Sequence, residues 1–131
     1  MDLFMEAREQ IRVMVVDDHP AVRETLATFI NSLSDMELAG LAATGPEAIE
    51  LCGEAAPDVI LMDLVMPEMD GIDTSRAILR AFPDTRIIVL SSFGNTTLVE
   101  AATAAGAVAY LSKNSPIESL ADAIRTATYQ Q

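Results

Sequence analysis

A chain of 131 residues, half of them hydrophobic, has the size of one domain around one core. No apolar run approaches the roughly 18 residues of a membrane-spanning helix, and the N-terminus lacks the basic and apolar regions of a secretory signal. A formal net charge of −12 repels phosphate backbones, so direct nucleic-acid contact is not expected, and the single Cys52 makes no internal disulfide, which suits a cytoplasmic chain.

Residues 1–10 read as an N-terminal extension, 11–127 as the folded domain and 128–131 as a tail. The β-branched run Ile11–Val16 predicts a strand. Pro20 then opens a helix to about Ser32, with Val22, Leu26, Phe29, Ile30 and Leu33 at helical spacing. Glu37–Ala42 is a weaker strand. Thr44-Gly-Pro-Glu47 has capping-box spacing and starts a helix to about Ala55. Val59–Met62 is a third strand, followed by a Pro- and Gly-containing loop over 66–71 and a helix to about Ala81. Arg86–Leu90 is the fourth strand. Asn95 is placed to cap a helix that ends at Ala105, before Gly106. Val108–Leu111 is the fifth strand, and Ser115-Pro-Ile-Glu118 starts a last helix to about Thr126.

This alternation is (βα)5. Right-handed crossovers make the sheet parallel and cover both its faces with helices, an α/β architecture. Strand order 2-1-3-4-5, the flavodoxin-like arrangement, is expected from fold frequency.

Open α/β sheets bind ligands beyond the carboxyl ends of their strands. There the sequence puts Asp17 and Asp18 after the first strand, Asp63 after the third, Ser91 and Ser92 after the fourth and Lys113 after the fifth. Three carboxylates a few ångströms apart repel, by about 4 kcal/mol per pair at ~4 Å and an effective dielectric near 20. An all-oxygen cluster of this kind suits Mg²⁺. His19 is the only histidine, so a His-based zinc or iron site is not expected; it reads as a loop residue beside the acids. A carboxylate can attack a phosphoryl group and form an aspartyl-phosphate, with a cation, an ammonium and hydrogen-bond donors stabilising the transferred charge.

The segments VMVVDDHP (13–20), VILMDLVMPEMDG (59–71), IIVLSSF (87–93) and AGAVAYLSK (105–113) together resemble the receiver domain of two-component response regulators, and within it the LuxR-type subfamily. The resemblance covers about Ile11 to Thr126. It implies that Asp63 is the phosphoacceptor, that Asp18 binds Mg²⁺ (or Mn²⁺) directly and Asp17 through water, and that the backbone carbonyl of Val65 is a further ligand. Ser91 corresponds to the hydroxyl that turns toward the phosphoryl group, Lys113 to the lysine that pairs with it, and Tyr110 to the aromatic that moves inward on activation. The implied partners are a sensor histidine kinase and, after phosphorylation, a second copy of the chain. DNA would be reached through a C-terminal domain absent from this sequence. Apart from self-phosphorylation and autodephosphorylation, no enzymatic activity is implied. Asn114 and Ser115 separate Lys113 from Pro116, so no cis bond follows the lysine. Val65 and Phe93 are apolar where some members are polar, which is expected to keep attacking water away.

Other readings fit less well. A haloacid-dehalogenase-type phosphatase wants an acid two residues after its nucleophile, where this chain has Val65. A flavodoxin-type first loop would be repelled from its phosphate by Asp17 and Asp18, and no GxxxxGK[ST] loop is present. A receiver that has lost phosphorylation would lack a site residue, and none is missing.

Overall fold

The computed structural model describes residues 10–91 and 96–129, in which short apolar strands alternate with amphipathic helices. The order is β1 (Ile11–Val16), α1 (Pro20–Asn31), β2 (Met36–Ala42), α2 (Gly45–Ala55), β3 (Val59–Asp63), α3 (Gly71–Ala81), β4 (Arg86–Ser91), α4 (Thr96–Ala104), β5 (Ala109–Ser112) and α5 (Ile117–Tyr129). The strands form one parallel sheet of order β2-β1-β3-β4-β5.

Strand alternation divides the core in two. Ile11, Val13 and Val15 of β1, Val59 and Leu61 of β3, and Ile88 and Leu90 of β4 pack with Leu26 and Ile30 of α1 and Leu120 and Ile124 of α5. Their neighbours Met14, Val16, Ile60, Met62, Ile87 and Val89 pack on the other face with residues of α2, α3 and α4, including Cys52, Ile78 and Ala102. Burial on both faces is why β1, β3 and β4 read as nearly continuous apolar runs. Truncating Ile60, which is fully buried at the centre of the sheet, to Ala is expected to cost about 3 kcal/mol in urea unfolding.

Local signals account for most boundaries. The Thr44 hydroxyl accepts a hydrogen bond from Glu47 N at 3.2 Å and so caps α2 as expected, while the Glu47 carboxylate accepts from Ala43 N at 2.6 Å, one residue ahead of the Thr44 N–H that a strict capping box would use. Gly106 takes φ 117°, a left-handed value that lets the chain leave α4 and turn into β5.

Two expectations are corrected at α5. The helix begins at Ile117, one residue after Pro116, and no side-chain bond from Ser115 caps it among the described residues. It also runs to Tyr129, three residues beyond Thr126, because Ala127 extends the buried stripe formed by Leu120 and Ile124. The expected positions of Ser92, Phe93 and Asn95, and of most of the two terminal segments, lie outside the described residues.

Candidate functional site

Strand parity and strand ends assemble the site together. Asp17 prolongs β1 through Asp17 N–H donating to Ala42 O at 3.1 Å, and Lys113 prolongs β5 through its N–H donating to Ser91 O at 2.8 Å. Asp63 is the last residue of β3 and stands beside Leu90 of β4. All three continue the face that packs on α1 and α5. Ser91 and Tyr110 continue the opposite face.

The acids converge as their sequence positions require. Oxygens of Asp17, Asp18 and Asp63 and a ring nitrogen of His19 all lie within 4.8 Å of one another. Lys113 Nζ bridges two of the acids, 3.1 Å from Asp17 Oδ2 and 3.2 Å from Asp63 Oδ1. Asp63 Oδ1 also accepts a bond from Val65 N at 3.3 Å. Arg23 Nη1 donates to Asp17 O at 2.7 Å, which ties α1 to the first loop.

Asp63 is only 3% exposed, more covered than a phosphoacceptor reading of the sequence anticipates. Much of its rim consists of side chains that are themselves wet: His19 and Val65 are exposed, and Lys113 and Asp18 are partly so. Access therefore calls for rotamer changes, which take picoseconds to nanoseconds in exposed residues.

Burial raises the Asp63 carboxyl above the usual carboxylate range and the Asp17 charge adds to this, with Lys113 and the Val65 N–H pulling the other way. Burial works to lower the Lys113 ammonium, but hydrogen bonds and charges from Asp17 and Asp63 outweigh it and leave the pKa above that of an ordinary lysine. The one bridging cation leaves the cluster incompletely compensated. Among the described residues, the buried oxygens Asp63 Oδ2 and Asp18 Oδ1 have no hydrogen-bond partner. Orphaned buried carboxylate oxygens on two of three clustered acids fit a hard dication, so this donor set suits Mg²⁺.

The loop after Asp63 is held by close backbone contact. Gly71 N–H donates to Leu64 O at 3.0 Å, and Asp70 Oδ1 caps α3 by accepting from Asp73 N at 2.8 Å. A Cβ at Gly71 would lie 2.3 Å from the Asp63 carbonyl oxygen and 2.8 Å from Leu64 Cα. Gly71→Ala is therefore expected to destabilise the domain by about 2 kcal/mol in urea unfolding and to displace Asp63.

Ser91 is buried, whereas Tyr110 is 38% exposed on the edge strand. The sequence did not foretell how closely His19 engages the acids. At the N-cap of α1 its side chain makes no cap bond. Instead Nδ1 lies 2.9 Å from Asp17 Oδ1 and 3.3 Å from Asp18 Oδ1, and its backbone N–H donates to Asp17 Oδ1 at 2.9 Å. The hydrogen bond to Asp17 and the two acidic charges raise its pKa. The only signal was its adjacency to the two acids.

Known proteins share both sequence and fold with this chain. The family described as response regulator receiver domain matches residues 13–125. The transcriptional regulatory protein LiaR of Bacillus subtilis is 48% identical over 118 residues, which cover 90% of this chain and 56% of LiaR. The chain thus spans about half the length of the curated relatives it matches. The response regulator domain of Thermotoga maritima CheB superposes with a TM-score of 0.86 at 35% identity, covering 92% of this chain and 98% of that one. A LuxR-family response regulator from Aurantimonas superposes with a TM-score of 0.83 at 34% identity, covering 88% of this chain and 82% of that one. Match length, identity and superposed fold agree with the four motifs, and the chain belongs to the response regulator receiver domain family.

Proposed function

We propose that Asp63 accepts a phosphoryl group from the phosphohistidine of a sensor kinase, and that this switches the interaction surface of a cytoplasmic, DNA-binding response regulator. The observation that carries the assignment is the buried Asp63 carboxyl, bridged to Asp17 by Lys113 and left with one oxygen unbonded.

An oxygen of the Asp63 carboxylate attacks phosphorus, the P–N bond breaks, and the histidine nitrogen leaves with the electron pair. Asp17, Asp18, Asp63 and the Val65 carbonyl would hold Mg²⁺ or Mn²⁺, which neutralises charge on the transferred oxygens when bound. Lys113 is placed to exchange its bond with Asp63 for one with a phosphoryl oxygen. Ser91 then supplies a hydroxyl from the far side of β4, and Tyr110 follows inward. To change the active population from about 1:99 to 99:1 takes roughly 5.5 kcal/mol of preference, a large part of which charge-assisted bonds to one phosphoryl group can supply. The resulting surface pairs with a second copy. Self-phosphorylation from small donors and autodephosphorylation are the only chemistry assigned, and Val65 at the rim limits the water that drives the latter.

Incubation with phosphoramidate and MgCl₂ should add one phosphoryl mass per chain, and borohydride reduction should mark Asp63. A label elsewhere, or an acid-stable one, would overturn the assignment. Mg²⁺ alone should raise the thermal midpoint, since a ligand of the folded state stabilises by RT ln(1 + [L]/Kd). At one hundred times Kd this is about 2.7 kcal/mol.

A further inference from the structure

The proposed chemistry leaves His19 without a role, yet its ring stands among the acids. In an octahedral site with metal–ligand bonds of about 2.1 Å, adjacent ligand atoms are about 3 Å apart. His19 Nδ1 lies 2.9 Å from Asp17 Oδ1 and 3.3 Å from Asp18 Oδ1, the spacing of ligands along two such edges. An oxygen of Asp63 completes the group within 4.8 Å. The unbonded, buried Asp63 Oδ2 is an independent sign that a cation belongs there. His19 reaches this place because it forfeits side-chain capping of α1, where Pro20 follows and fixes the turn.

We infer that His19 is a nitrogen ligand of the cation bound by Asp17, Asp18 and Asp63, so that the site favours a first-row transition dication over Mg²⁺ more strongly than its carboxylates alone would. Carboxylates suit Mg²⁺ and Mn²⁺ alike, whereas imidazole adds affinity for Mn²⁺, Co²⁺ and Ni²⁺ and little for Mg²⁺. On binding, the cation replaces the proton that Nδ1 shares with Asp17, that proton is released to solvent, and the neutral coordinating ring keeps its other proton on Nε2, on a side chain that is 61% exposed. This rests on the proposed cation site but not on phosphoryl transfer.

The test compares wild type, His19→Ala and Asp18→Asn in the unphosphorylated chain. Calorimetric titration with MgCl₂ and with CoCl₂ gives the affinities, and pulsed electron paramagnetic resonance with MnCl₂ reports nitrogen coupling. The expected result is an imidazole nitrogen coupled to Mn²⁺ in wild type and absent in His19→Ala, with Co²⁺ affinity falling about tenfold or more. Mg²⁺ affinity should change less than about twofold. Absence of nitrogen coupling in a wild-type chain that binds Mn²⁺, or equal losses for Mg²⁺ and Co²⁺, overturns the inference and leaves the acidic site standing. Failure of all three cations to bind wild type, or undiminished binding in Asp18→Asn, overturns the acidic site as well.

Discussion

Asp63→Asn is expected to abolish phosphoryl uptake and, in chelator at neutral pH, to raise the thermal midpoint by roughly 3 °C. An amide has no nucleophilic carboxylate oxygen, which accounts for the loss. The gain follows from the raised pKa of Asp63, caused first by burial and then by Asp17. The folded chain holds this proton more tightly than the unfolded chain, so stability declines as pH rises from the unfolded carboxyl value through the folded one. Above the folded value the penalty is complete, and Asn removes it. The advantage of the variant should shrink as pH falls into the range where the wild-type carboxyl is protonated. Mg²⁺ should reverse the ranking, because wild type binds it better. Melting curves with EDTA and with MgCl₂, together with intact-mass measurements after phosphoramidate, check all these outcomes. A variant less stable than wild type in EDTA at neutral pH would contradict the electrostatic account.

Lys113→Ala should act in the opposite direction. Removing one partner of a buried pair leaves charge uncompensated, and here two acids lose the same ammonium. Since Lys113 is 23% exposed, solvent screens part of the effect, and a loss of about 2 kcal/mol is expected at neutral pH. The raised pKa of Lys113 sets the window. Its stabilisation is complete below the unfolded lysine value and is lost as pH rises through the folded one. The difference between wild type and variant should therefore narrow at strongly alkaline pH. It should narrow again in acid, where Asp63 takes up a proton. Urea unfolding across pH measures both limits, and a constant difference would rule out the ion pairs as its source.

The elements most legible in the sequence are those whose residues face one environment. β1, β3 and β4 are buried on both sides, so unbroken aliphatic runs betray them, and the acids that follow stand out by contrast. The α2 boundary was legible because Thr44 and Glu47 signal it locally. The α5 ends were less so, since Ala127 carries little pattern of its own and is held by tertiary contact. A register shift between Val13 and Met14, opposite β2, has no sequence cue. At the site, the participants were readable from strand ends, but their arrangement was not. The double bridge of Lys113, the depth of Asp63 and the reach of His19 each depend on side chains brought together from separate loops.

The alternation that sends Asp17, Asp63 and Lys113 to one side of the sheet sends Ser91 and Tyr110 to the other, while the Lys113 N–H bond to Ser91 O joins the two sets through the backbone. The two sets thus lie on opposite faces of the sheet and are joined across β4 and β5, so on the proposed reading a change at the acids reaches Tyr110 through Ser91. On that reading, new contact residues grafted around the exposed Val108 and Tyr110 would give the domain a different listener and leave the acids as they are.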